Sequence, residues 1–351
     1  MPATDLATRH PVVSVIIPAR NEEVCLGDCL ESLLAQTGVA FEIIVVDDHS
    51  TDRTREIASS FSDPRIHVIE AGPLPAGWTG KNNAVIAGSK AARGQWFLFT
   101  DADTVHLPGS LAHSIEEAQR HEAAMLSYSP EQVAKSFVEK AVMPVIFADL
   151  AATFRPSLVS DPKSPAAAAN GQYILIMREA YDAVGGHAAI ACDLLEDVAL
   201  ARAVKRSGRK IFFRFGGDAV RTRMYRTFAQ LREGWTKNLA LLFPSPLRLA
   251  ALRMIELVLI LSSFAVAVIS ARRGHWQPAL LAGVLGLIIY SLFLTRIRRA
   301  HFSWDANILA LFGLPLFSYL LLRSVRAHAE GSVAWKGRKY SDDTCVLVTG
   351  H

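Results

Sequence analysis

Trp96-Phe97-Leu98-Phe99-Thr100-Asp101-Ala102-Asp103 sets an unbroken apolar run against two carboxylates one residue apart. Such a run reads as a fully buried strand. Two carboxylates at its end repel each other and need a counter-charge. A hard divalent cation, Mg²⁺ or Mn²⁺, suits them, because it takes oxygen ligands and keeps positions open for phosphate oxygens. Capping the turn after the strand is the other reading, and an Asp-x-Asp alone does not separate the two.

The surrounding chain places that strand in a sheet. Residues 12–17 are β-branched and apolar and stop at Pro18, and residues 41–46 form a second buried strand closed by Asp47-Asp48. Residues 66–69 and 95–100 give two more strands. Helical spacing fills the intervals at 24–36 and 81–92, with Ser50 as the expected N-cap of a helix ending at Ser60. Alternation of this kind predicts an α/β fold, a Rossmann-like and mostly parallel sheet with helices on both faces. Ligands then bind beyond the carboxyl ends of the strands. Pro18 to Glu22, Asp47-Asp48 and Asp101-Ala102-Asp103 all fall at those ends.

Further along, residues 124–129, 171–177 and 210–214 read as strands, and 195–207 and 227–242 as helices. Residues 157–169, rich in Pro, Ser and Ala, read as a mobile loop. Residues 133–154 are helical and unusually apolar; Phe137, Val138, Val142, Val145, Ile146 and Phe147 favour a place on a membrane surface over a buried one.

The 351 residues are 51% apolar, unevenly spread. Three long apolar segments, 252–271, 279–295 and 306–322, predict a membrane region at 246–325 between a domain at 1–245 and a basic tail at 326–351. Three full crossings would put Arg323, Arg326, Lys336, Arg338 and Lys339 on the far side from the first domain, against the positive-inside rule. The third segment is therefore expected to enter and return, or to lie in the interface, with a bend at Gly313-Leu314-Pro315. The net charge of +4 gives no reason to expect nucleic-acid binding. Cys25, Cys29, Cys192 and Cys345 have no zinc-site spacing and read as reduced packing residues. Residues 1–11 are polar, without the apolar core of a secretory signal, so a cytoplasmic first domain at the inner membrane is expected.

Five pieces together resemble the family 2 inverting glycosyltransferases of the nucleotide-diphospho-sugar transferase fold. They are Val15-Ile16-Ile17-Pro18-Ala19-Arg20-Asn21-Glu22, Ile44-Val45-Val46-Asp47-Asp48-His49-Ser50-Thr51-Asp52, Gly80-Lys81-Asn82-Asn83-Ala84, Asp101-Ala102-Asp103 and Leu195-Glu196-Asp197. The resemblance spans residues 12 to about 240. It implies that Pro18, Ala19, Glu22 and Asp48 hold the nucleoside of a sugar nucleotide, with Lys81 at a helix start near its ribose or diphosphate. Asp101 and Asp103 would hold the metal ion, Mg²⁺ or Mn²⁺, and Asp197 would be the catalytic base beside Glu196.

The final family element, Gln-x-x-Arg-Trp, is altered here to Gln230, Arg232 and Trp235, which with Glu196 carry over to the acceptor side. That spacing argues against a polymer-making synthase. Ala169-Asn170-Gly171-Gln172, Gly185-Gly186-His187 and Trp335-Lys336-Gly337-Arg338-Lys339-Tyr340 resemble carotenoid- and hopanoid-associated members. The expected activity is transfer of a hexose from a UDP-linked donor to a lipid such as a carotenoid, hopanoid or sphingolipid. A polyprenyl-phosphate acceptor and a non-catalytic nucleotide-sugar-binding subunit are the alternatives. The 335–340 stretch reads either as a lid over the donor phosphates or as a basic membrane-surface patch.

Overall fold

The computed structural model describes residues 11–340, so Cys345 and the end of the basic tail lie outside the described residues. By packing, the chain forms two units. One holds the chain up to Val133, Phe154–Met224 and the chain from Lys336; the other holds Ala134–Thr153 and Tyr225–Trp335.

The first unit is built on β1 (Val13–Ala19), α1 (Leu26–Leu34), β2 (Phe41–Asp47), α2 (Thr54–Ser60), β3 (Ile66–Glu70), α3 (Gly80–Ala91) and β4 (Trp96–Phe99). β5 (Thr104–His106), α4 (Ser110–Arg120), β6 (Met125–Ser129) and β7 (Glu131–Gln132) follow. The chain then passes through α5 (Phe137–Thr153), which belongs to the second unit, and returns as α6 (Pro156–Ser160), β8 (Ile174–Met177), α7 (Arg178–Ala183), α8 (Glu196–Arg206), β9 (Ile211–Phe215) and β10 (Val220–Thr222). Seven strands make one sheet in the order β3-β2-β1-β4-β8-β6-β9. It is parallel except at β8, which runs antiparallel to both neighbours. The alternation in the sequence led to this α/β sheet, and the reversed β8 is the mixed element it did not reveal. β5, β10 and β7 form a small second sheet. Each of these strands is only two or three residues long, too short to leave a pattern in the sequence.

β1 and β2 are buried almost throughout because both faces of the sheet are covered, which is why they read as continuous apolar runs. α1 buries Leu26, Cys29, Leu30 and Leu33, at helical spacing, on one face. Fully burying a side chain such as Leu30 contributes about 2 kcal/mol. The expected cap Ser50 does not cap a helix. α2 starts at Thr54, where Asp52 accepts the Thr54 N–H (3.0 Å), while Ser50 Oγ accepts the Asn21 N–H (3.1 Å) and so joins two loops. The loop expected at 157–169 begins within α6, which buries Val159; residues 161–169 are irregular, and Ala167, Ala168 and Ala169 pack into the core.

The second unit packs α5 with α9 (Phe228–Leu242), α10 (Pro246–Arg272), α11 (Trp276–Ile297) and α12 (Trp304–Ala329), followed by β11 (Val333–Trp335). α5 is a core helix of this unit, not a surface one: Val142, Val145 and Ile146 are fully buried, and α5 packs on α12. Its lack of a polar face follows from burial on several sides. α10, α11 and the α12 stretch are each long and apolar enough to cross a membrane. The apolar stretch of α12 is 44% buried, against 6% and 11% for the other two. α12 is one continuous helix through Pro315, so the chain does not turn back at 313–315. Gly313 instead lets α12 press against α5, where a Cβ would collide with the Ala141 carbonyl. Four charges form a closed ring in this unit. Arg253 reaches Asp149 (2.7 Å) and Glu256 (2.9 Å), and Arg296 reaches the same two acids (3.0 and 2.7 Å).

Candidate active site

The carboxyl ends of β1, β2 and β4 carry the loops marked in the sequence, and side chains lace them together. Asp48 N–H donates to the Ala19 carbonyl (2.8 Å), and Arg20 Nη1 donates to the Asp48 carbonyl (2.6 Å). Asn21 and His49 take positive φ values of 53° and 54°, turning the two loops toward each other; Asn21 Oδ1 then accepts the Thr51 N–H (2.8 Å). Glu22 N–H donates to Thr54 Oγ1 (2.7 Å). Asp48 is 4% exposed. The expected nucleoside group of Pro18, Ala19, Glu22 and Asp48 therefore sits at the end of β1 and on the two cross-linked loops after β1 and β2.

α3 begins beside it. Thr79 caps the helix by accepting the Asn82 N–H (3.2 Å), which leaves Gly80 and Lys81 in the first turn. Asn82 donates to the Ile190 and Ala191 carbonyls (2.9 and 3.0 Å), tying the helix start to the 3₁₀ turn after Gly185. Lys81 Nζ lies 2.8 Å from Asp101 and 2.7 Å from Glu196. One ammonium thus joins the acid pair after β4 to the acid pair that opens α8. Burial works against this ammonium, but Asp101 and Glu196 outweigh it and hold its pKa well above the usual 10.5.

Asp103 and Asp197 are the two acids that Lys81 does not touch. Burial, then the charges of Asp101 and Glu22, push the Asp103 carboxyl up to about 7. Its Oδ1 is buried and has no hydrogen-bond partner among the described residues. Burial, then Glu196, push Asp197 up to about 6, with Lys81 opposing. Asp197 is aimed by two backbone donors, Gly171 N–H (3.0 Å) and Val198 N–H (2.8 Å). Gly171 belongs here because a Cβ would stand 3.0 Å from Lys81 Nζ and 3.2 Å from Glu196 Oε1. His187 is buried against Tyr181 (Nδ1 to Oη 3.0 Å), and burial lowers its pKa to about 4, so it packs as a neutral ring.

Gln230, Arg232 and Trp235 stand on α9, in the second unit. Gln230 is the partner of Thr227 in a capping box, its Oε1 accepting the Arg226 and Thr227 N–H groups (2.9 and 3.2 Å). Arg232 lies over the Phe228 ring (6.0 Å). Trp235 is 2% exposed, in edge contact with Phe147 and Tyr225, and its Nε1 has no partner among the described residues.

The tail adds two residues to the first unit's site that the sequence motifs did not assign. Lys336 pairs with Glu22, and Arg338 pairs with Asp48 through both guanidinium nitrogens, the Nη2 contact at 2.9 Å. The aromatic-basic composition of 335–340 was the available signal, but it named no partner.

Comparison with known proteins agrees with this geometry. The mannosyltransferase PcManGT from Pyrobaculum calidifontis, solved with GDP-Man and Mn²⁺, superimposes with a TM-score of 0.52 at 16% identity, over 91% of this chain and 87% of that one. The fold is thus that of the glycosyltransferase A type. The 4,4'-diaponeurosporenoate glycosyltransferase of Staphylococcus aureus (strain USA300) is 28% identical over 97% of this chain and 91% of its own length. Residues 14–185, which carry the β1, β2, α3 and β4 motifs, match Glycosyl transferase family 2. The chain is a glycosyltransferase, and its residues 14–185 form the part that matches that family.

Proposed function

We propose that the protein is a membrane-anchored inverting transferase that moves a hexose from a UDP-linked donor to a lipid acceptor. One observation carries this reading: a single ammonium, Lys81, bridges the donor-side acid Asp101 and the acceptor-side acid Glu196. Two functions that must act on the same anomeric carbon are thereby held in one cluster. Glu22 and Asp48 accept from the nucleoside, and Lys81 with the first-turn amides of α3 favours the diphosphate.

Asp101 and Asp103 fit a divalent cation, since Asp103 Oδ1 is a buried carboxylate oxygen left without a partner among the described residues. Among the described residues no third His, Cys, Asp or Glu joins them, which suits an ion completed by phosphate oxygens. When bound, Mg²⁺ or Mn²⁺ would stabilise charge on the leaving diphosphate. Where the acceptor is a hydroxyl, Asp197 takes its proton, and the Gly171 and Val198 amides keep the carboxylate oriented for this; an acceptor carboxyl is already ionised and attacks without that step. A pKa near 6 suits a base working at neutral pH.

The acceptor is a lipid hydroxyl or carboxyl. The Staphylococcus aureus relative is named for transfer to 4,4'-diaponeurosporenoate, which supports a carotenoid-type acid. Exposed apolar residues along α10 and α11 support a bilayer setting. Lys336 and Arg338 pair with Glu22 and Asp48 inside the first unit, so the chain between them crosses a membrane an even number of times. α10 and α11 cross and return, and the more buried α12 stays with α5 and α9. Both catalytic domain and tail then face the cytoplasm. The decisive experiment supplies UDP-glucose and a carotenoid acid to membranes containing the protein. Glycosylated product lost in Asp197→Asn supports the reading. UDP released with no lipid product, or product formed equally by Asp197→Asn when a carotenoid alcohol replaces the acid, sinks it.

A further inference from the structure

We infer that the tail segment Lys336–Tyr340 is the cationic wall of the donor site, with Arg338 and Lys336 as donor-binding residues for the diphosphate. This rests on the donor-site reading above.

Three separate contacts seat the segment on the elements given to the donor. Lys336 Nζ donates to Glu22 and to the Arg20 carbonyl (3.0 Å), on the loop after β1. Arg338 grips Asp48, on the loop after β2. Tyr340 Oη accepts the backbone N–H of Gly80, at the start of α3. Lys336 and Gly337 both take positive φ, 46° and 78°, which makes the tight turn that presents Lys336 and Arg338 to this edge together. The body of the unit is shaped to receive them. A Cβ on Gly80 would overlap Arg338 Nη1 and stand 2.6 Å from Asp48 Oδ2, so the guanidinium lies directly over the first turn of α3.

Charge explains why such a wall is needed. Glu22, Asp48, Asp101, Asp103, Glu196 and Asp197 crowd this edge, and the body of the unit answers them with Arg20 and Lys81. A nucleoside diphosphate brings further negative charge, which such a site repels. Lys336 and Arg338 add two more cations at the place where α3 directs its N-terminal amides. Arg338 can do this without leaving Asp48. A guanidinium has five N–H groups, and Asp48 takes two. Asp48, gripped along one side, keeps lone pairs for the nucleoside.

The test is calorimetric binding of UDP, with uridine as the probe lacking phosphate, to the full-length protein in detergent. Arg338→Ala is expected to weaken UDP binding by about tenfold or more, the usual weight of a charge-assisted hydrogen bond. Uridine binding should weaken much less, and Arg338→Lys should restore part of the UDP affinity. Lys336→Gln, at a more open position, should weaken UDP in the same direction if Arg338→Ala fails to fold. Unchanged or tighter UDP binding would overturn the proposal, the latter showing that the tail competes with the nucleotide. Equal losses for UDP and uridine would also overturn it, leaving Arg338 as a positioner of Asp48 alone. Absence of UDP binding in the unmodified protein would instead overturn the donor-site reading, and this inference with it.

Discussion

Replacing Lys81 by methionine removes the one cation that touches both acid pairs while keeping most of the side-chain volume. Its ammonium lies 2.8 Å from Asp101 and 2.7 Å from Glu196. It also lies near Asp197, because both groups crowd the point where a Gly171 Cβ would stand, at 3.0 and 3.6 Å. The two are therefore at most about 6.6 Å apart, and at that limit, with an effective dielectric constant of about 20 to 40, this charge stabilises the Asp197 carboxylate by about 1–2.5 kcal/mol, or roughly one to two pH units. Removing a positive charge raises a carboxyl pKa, so the ionised base then appears only at higher pH. The acid limb of kcat/KM for the acceptor, measured at saturating donor, should move from about 6 upward by that amount in Lys81→Met. Glu196→Gln should move the limb the other way, since the Glu196 charge helps to raise Asp197. Profiles from about pH 5 to 9 on the two variants test the pair of signs. A limb that stays in place in both, or moves the same way in both, would refute Asp197 as the titrating base.

Other expectations concern single sites. Asp197→Asn should reduce transfer by about 10²–10⁴-fold while UDP binding persists, as read by product mass spectrometry and calorimetry. Mn²⁺ should tighten UDP binding to the unmodified protein on titration, and Asp103→Asn should abolish that effect. Gly313→Leu should drive α12 off the Ala141 carbonyl and lower stability by about 3 kcal/mol, visible as a reduced melting temperature in detergent. Asp149→Ala leaves two half-buried arginines with one acid between them, and should cost about 3–5 kcal/mol by the same measurement.

The elements that hold the donor loops were the most legible part of the sequence. β1, β2 and β4 are covered on both faces, and a strand buried in that way must be apolar along its whole length. The same logic misled at α5. An apolar helix looks alike whether lipid or α12 covers it, and only the second unit's packing separates the two. Gly313-Leu314-Pro315 suggested a turning point, yet the helix continues through Pro315. Asp101, Asp103, Glu196 and Asp197 were nameable from their motifs. Their bridging through Lys81 was not, because residues 81, 101 and 196 meet only through the sheet topology. Lys336 and Arg338 were hidden for the same reason, lying 314 and 290 residues from their partners.

The ring of Asp149, Arg253, Glu256 and Arg296 bears on how the protein is made. Arg253 and Glu256 lie near the start of α10 and Arg296 near the end of α11, so all three reach the same end of this helical hairpin. A lone charge costs about 2.5–3.5 kcal/mol at the centre of a membrane helix and less near its ends, where an arginine reaches the interface. Within the ring the hairpin supplies two arginines against one acid, and the balancing carboxylate is on α5, 104 residues before Arg253. In the membrane-anchored reading, a hairpin of α10 and α11 alone carries a net positive charge in this ring, which Asp149 of α5 neutralises. Placement of the hairpin and folding of the segment that precedes it are then coupled, because a chain that fails at α5 leaves an arginine of the ring without its carboxylate.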